Sequence, residues 1–181
     1  EDPIEFMYAR QQAVIEQREL GIDTLSFAEA LRAALRQDPN VILLGEMRDR
    51  DSVEAALTAA ETGHLVLSTL HTPSAPEAII RIVSLFPAEQ QGQILAQLAG
   101  VLRGVVSQRL LPSAKGGRIA AREILLVNTA VANHIREQKI PQLISVMQTS
   151  RQDGMRTMEQ ALQELASAGI IDPSIIPYQV G

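Results

Sequence analysis

At 181 residues the chain is long enough for one domain with a real core, or for a core and a helical appendage. A net charge of -5, a pI near 5.2 and the lack of any lysine or arginine run exclude a protein that coats nucleic acid through a general basic surface. With no cysteine there is no disulfide framework or thiolate metal site, and no segment approaches ~18 consecutive apolar residues, so no direct membrane insertion is expected.

Aromatic residues make up only 3% and Trp is absent, which predicts an aliphatic, helix-rich core. Ser26 followed by Glu29 reads as a capping box ahead of Phe27, Ala28, Leu31, Ala34 and Leu35. This apolar stripe, ended by Pro39, predicts a helix over 26–37. Val41-Ile42-Leu43-Leu44 is a short apolar run expected to be a strand covered on both faces. Asp51 with Glu54 is expected to cap a second helix, with Val53, Ala56, Leu57 and Ala60 on its apolar side and Gly63 at its C-terminal stop. A second strand follows from Leu65 to Leu70, and Ser74-Ala75-Pro76-Glu77 opens the next helix. Strand, helix and strand make a βαβ unit, hence parallel strands with ligands at their C-terminal ends.

After Phe86-Pro87 one long helix is expected through Ile94, Leu95, Leu98, Val101, Leu102, Val105 and Val106 to about Leu110. Gly116-Gly117 reads as a turn, and 118–127 as a strand whose apolar run Arg122 and Glu123 interrupt. Beyond it come short helices near 129–137, 141–148 and 157–168, then a tail. The division expected is 1–127 as part of an α/β core, 128–169 as a helical subdomain and 170–181 as tail.

Glu46 follows Val41-Ile42-Leu43-Leu44-Gly45, which places a carboxylate at the C-terminal end of a buried strand beside a glycine. In phosphate hydrolysis such an acid can orient the attacking water or hold Mg²⁺ through water. The alternative is a structural carboxylate paired with Arg48 or Arg36. Asp2 and Glu5, beside Pro3, form a second acidic cluster able to approach the same metal or water, or else a solvated segment. His64 and His71 bracket the second strand about 23 Å apart at ~3.3 Å per residue, too far to share a metal. His71 lies at the same strand end as Glu46 and could meet a phosphate or serve structure alone; His64, at the other end, is accounted for by capping the preceding helix. Arg10, Arg18, Arg36 and Arg48 are candidates to neutralise phosphate or inter-subunit charge, or simply solvated. No Gly-x-x-x-x-Gly-Lys-Ser/Thr occurs in the chain. ATP binding by these residues alone is therefore expected to be weak or nil, with no ligand bound and no hydrolysis.

The run Leu35-Arg36-Gln37-Asp38-Pro39-Asn40-Val41-Ile42-Leu43-Leu44-Gly45-Glu46-Met47-Arg48-Asp49 resembles the Walker B signature of type II/IV secretion and pilus-assembly ATPases. Glu1-Asp2-Pro3-Ile4-Glu5 looks like that family's aspartate box, and Thr62 to Thr72 like its histidine box. Phe86-Pro87-Ala88-Glu89-Gln90 and Ala130 to Glu137 look like the type IV pilus retraction branch, the PilT-like twitching motors. That branch usually has Arg-Asn-Leu where this chain has Ala132-Asn133-His134. Extension and secretion branches usually carry a four-cysteine element, absent here.

The resemblance implies a partial RecA-like P-loop NTPase core followed by a C-terminal helical subdomain, in a homohexamer binding ATP and Mg between subunits. It implies Glu46 as the catalytic glutamate, with Glu1, Asp2 and Glu5 as aspartate-box acids. His71 would be a nucleotide sensor and His64 a lesser one, and Arg18 and Arg48 would neutralise phosphate charge. Mg would be held only through water on Glu46, with no direct protein ligand. The setting implied is cytoplasmic, peripheral at the inner-membrane pilus base, with a pilus platform protein as partner and no nucleic acid. Because that family's P-loop precedes its aspartate box, the expectation is a C-terminal piece of a longer chain. The alternatives are an extension or secretion ATPase, and a non-catalytic ring or adaptor subunit.

Overall fold

The structure, a computed structural model, describes residues 1–176. The chain forms two compact units, Glu1–Leu70 and His71–Gly181, the second described to residue 176. Of the tail expected over 170–181, residues 177–181 lie outside the described residues.

In the first unit, helix α1 (Phe27–Ala34) starts where Ser26 Oγ accepts from the Glu29 amide at 3.1 Å. Strand β1 (Val41–Leu44), helix α2 (Arg50–Glu61) and strand β2 (Leu65–Ser68) form the βαβ unit, with the strands parallel and Val41 opposite Leu65. α2 is capped by Asp49, whose side chain accepts from the Ser52 amide at 2.8 Å, rather than by Asp51. Asp51 already sits in the first turn, because an N-cap needs extended backbone, and Asp49 has it. Gly63, at φ +99, makes the left-handed stop.

Ile42 and Leu44 of β1 pack with Phe27, Leu31, Ala56 and Ala59, and Val66 of β2 joins them. Val41, Leu43, Leu65 and Leu67, on the opposite face, are each about half exposed. This corrects the expectation of a strand covered on both sides: α1 and α2 lie on one face only among the described residues. A continuous apolar run predicts what a strand can bury, not which layers are present to bury it.

The second unit holds helices α3 (Ala75–Val83) and α4 (Ala88–Val101), and strands β3 (Gly104–Pro112) and β4 (Arg118–Leu126). Helices α5 (Thr129–Arg136), α6 (Leu143–Thr149) and α7 (Met158–Ser167) follow. β3 and β4 form an antiparallel hairpin in which Gly104 faces Leu126. The long helix expected to reach Leu110 therefore ends near Val101, and Val105, Val106 and Leu110 belong to a strand. Leu102 is extended at ψ 128. At Gly104 an added Cβ would lie 3.0 Å from the Leu125 carbonyl oxygen, a tight contact that marks the close approach of the paired backbone. The helical spacing of the valines was coincidental; their β-branching was the better guide.

α7 begins with a full capping box between Thr157 and Gln160. Leu111, Ala121, Leu162 and Ile171 form one buried cluster of this unit. No helix among the described residues is long and apolar enough to cross a membrane.

Candidate functional site

The C-terminal end of β1 is held by β2 beyond the last paired strand residues. Thr69 Oγ1 donates to the Gly45 carbonyl at 2.5 Å, and the Thr69 carbonyl accepts from the Met47 amide at 3.3 Å. The backbone on both sides of Glu46 is thereby fixed, and its carboxylate projects from the strand end. Glu1 lies beside Gly45, close enough that a Cβ on that glycine would be 3.4 Å from the Glu1 Cα.

Glu1 is stitched down by its own backbone: its amino nitrogen donates to the Arg18 carbonyl at 2.8 Å, and its carbonyl accepts from the Leu20 amide at 2.9 Å. Asp2 is consequently delivered to the strand end. There Arg48 joins the two acids, donating from Nε to Glu46 Oε2 at 2.7 Å and from Nη1 to Asp2 Oδ2 at 2.9 Å. The guanidinium is held above its ordinary value, first by its hydrogen bond to Glu46 and the Glu46 charge, then by Asp2. The structural alternative for Glu46, pairing with Arg48, is thus present, and it sits inside the acidic cluster rather than away from it.

Sequence reasoning missed two residues that shape this segment. Gln17 Nε2 donates to Glu1 Oε1 and to the Phe6 carbonyl, both at 2.8 Å, while its Oε1 accepts from the Tyr8 amide at 2.8 Å. Glu19 Oε2 accepts from the Ile4 amide at 3.0 Å. No motif or periodicity marks either residue; only the returning chain brings them close.

The other candidates have the following surroundings. Glu5 is exposed and makes no hydrogen bond or ion pair among the described residues. The Arg18 side chain donates to Gln37 Oε1 at 3.3 Å and not to the carboxylates. His64 Nδ1 lies 3.1 Å from both the Ala59 carbonyl and Thr62 Oγ1, at the C-terminal end of α2. His71 opens the second unit, three residues ahead of Ser74, the N-cap of α3. On α5, Ala132 is buried, Asn133 Oδ1 accepts from Arg136 at 2.9 Å, and His134 Nδ1 lies 2.8 Å from the Ala130 carbonyl.

Two carboxylates bridged by one cation at a strand's C-terminal end can order a water, and the N–H groups that the cation does not use remain available to an anion.

Residues 1–172 match the family described as type II/IV secretion system protein. A twitching motility protein of Neisseria gonorrhoeae is 53% identical over 174 residues, 96% of this chain and 46% of that protein. A type IV pilus retraction ATPase, PilT, of Pseudomonas aeruginosa is 48% identical over 171 residues, covering 94% of this chain and 50% of that protein. The crystal structure of the pilus retraction motor PilT with bound ADP superimposes with a TM-score of 0.88 at 52% identity, over 96% of this chain and 49% of that one. The chain thus spans about half the length of the relatives it matches.

Proposed function

The chain belongs to the type II/IV secretion system protein family and has its RecA-like α/β fold, and on that premise we propose that it carries the hydrolytic half of a type IV pilus retraction motor. The observation that carries this reading is the arrangement at the end of β1, where Arg48 joins Glu46 to Asp2. A strand-end carboxylate held by its own backbone, with a second acid delivered to it, fits an acid that orients the attacking water.

In this reading Glu46 accepts the proton of a water whose oxygen attacks the γ-phosphorus of ATP, as the bond from that phosphorus to the bridging oxygen breaks and ADP leaves. Glu1, Asp2 and Glu5 form the acidic wall beside it. Arg48 and Arg18 neutralise phosphate charge, and His71 senses the nucleotide. His64 has a lesser part, since its ring already serves the end of α2. The hard oxygen donors of Glu46 and Asp2 suit Mg²⁺ held through retained waters, and the ion would supply charge neutralisation on the phosphates. Residues 1–127 would be core and 128–169 the helical subdomain. The assembly would be a homohexamer working on the cytoplasmic side against a platform protein at the pilus base.

The test is made on a whole protein of the relatives' length. Glu46→Gln should abolish ATP hydrolysis while a fluorescent ADP analogue still binds. Hydrolysis at the original rate would overturn the assignment. For direction of work, a deletion strain should keep pilus extension and lose retraction; the reverse would favour the extension branch.

A further inference from the structure

Glu123 lies within β4 and is only 6% exposed, at the place where charge interrupts the strand's apolar run. A buried carboxylate is costly unless hydrogen-bonded, so its partners are informative. Its two oxygens serve different helices. Oε1 accepts from the Ala75 amide at 2.7 Å, and Oε2 accepts from the Met158 amide at 3.1 Å.

Ala75 and Met158 are the first residues of α3 and α7, and both helices start on the same plan. In each, the hydroxyl of the N-cap residue accepts the amide three positions on: Ser74 from Glu77 at 3.4 Å, Thr157 from Gln160 at 3.3 Å. Glu123 supplies the acceptor for the first amide of both. One carboxylate thus faces the positive ends of two helices, which satisfies donors that a helix cannot satisfy itself. β4 is tied to the approach of α7 a second time, since Ile124 and Arg156 exchange backbone hydrogen bonds of 2.7 and 2.9 Å.

The segment entering α3 is His71-Thr72-Pro73-Ser74, so its downstream end is fixed where Glu123 grips Ala75. The same side chain grips the first turn of α7. We propose that Glu123 is a positioning residue for His71, setting the histidine segment in register with α7 so that a shift of α7 is transmitted to the nucleotide sensor. This rests on the proposed sensing role of His71. A purely structural role needs only that the two helix starts be capped. Coupling further requires that loss of the shared acceptor change nucleotide binding through His71.

Glutamine at 123 keeps one acceptor oxygen and turns an N–H₂ toward the other amide, breaking one of the two bonds. In the whole protein, affinity for a fluorescent ADP analogue is measured for His71→Ala, Glu123→Gln and the double variant, with amide hydrogen exchange followed at Ala75 and Met158. Each single variant should weaken binding by about fivefold or more, and the double variant should be no weaker than His71→Ala. Exchange in Glu123→Gln should accelerate at one or both amides. If Glu123→Gln does not fold, Glu123→Asp, which keeps the charge but withdraws the carboxylate from both amides by one methylene, is read in the same way. Unchanged affinity in the Glu123 variant, or losses that multiply in the double variant, would overturn the proposal. Unchanged affinity in His71→Ala overturns it too, while hydrolysis by Glu46→Gln tests the parent reading independently.

Discussion

The Nε of Arg48 donates to Oε2 of Glu46 at 2.7 Å, two residues away, and the same guanidinium reaches Asp2 at 2.9 Å. The strand-end acid therefore has a matched cation before any phosphate arrives. Because Arg48 is mostly exposed, Arg48→Ala should leave thermal melting nearly unchanged. In the whole protein it should lower ATP hydrolysis by about 100-fold, the usual cost of losing one aimed donor. Arg48→Lys should not restore the rate, since a single ammonium lacks the fork that spans two carboxylates. Wild-type steady-state turnover in either variant would refute this role.

The cap of α2 offers a sharp comparison. Asp49→Ala should cost about 1 kcal/mol in urea unfolding, because the Ser52 amide loses its acceptor. Asp51→Ala should cost less than half of that, through the helix dipole alone. Equal losses would mean that the helix begins at Asp51 after all.

In the core of the first unit, Leu31 is 4% exposed and packs with Phe27 and Ile42. Leu31→Ala should cost about 2–5 kcal/mol by denaturant titration. Leu25, 86% exposed, is the control, and its alanine variant should stay within about 0.5 kcal/mol of the parent.

Much of this architecture is legible in the residues. Ser26, Ser74 and Gly63 mark helix ends with local chemistry, and the structure has helices beginning and stopping there. The position of Glu46 follows from four apolar residues and a glycine. Val105 and Val106 misled because two valines after a helical stripe fit either period, and only the backbone approach at Gly104 decides between them. Gln17 and Glu19 carry no local signal, and Glu123 shows in the sequence only as a charge within an apolar run, without its partners. Their partners lie up to 48 residues away, and no local pattern encodes a contact of that range. Pairing of Arg48 with Glu46 was open as an alternative; the simultaneous capture of Asp2 was not foreseen.

Gly104→Ala should destabilise the β3–β4 hairpin, since the new methyl would meet the Leu125 carbonyl oxygen at 3.0 Å and the Leu126 side chain at 3.3 Å. A lower melting temperature with faster amide exchange along both strands is expected. An unchanged melt would show that the backbones can separate freely there.

Two surface acids should respond to pH in the same sense. Glu137 is held below its ordinary value by the hydrogen bond and charge of Lys139, and Asp172 by the Ser174 amide. A carboxylate with a lowered folded-state pKa adds stability above its unfolded value, and loses it as pH falls through the folded value. Carboxyl carbon shifts followed by NMR should therefore titrate below the usual glutamate and aspartate ranges. Lys139→Ala should return Glu137 toward its ordinary value, and no movement there would disprove the cause.

The double grip of Glu123 also bears on the order in which the second unit assembles. Its bonds to Ala75 and Met158 close stretches of 48 and 35 residues, so the chain must give up much freedom before either bond forms. Such contacts belong late on the folding route, after the β3–β4 hairpin has docked. A weakened grip should then show itself as faster unfolding, with refolding hardly altered. The unit's resistance to opening would be set by a carboxylate that contributes little to how quickly the unit forms.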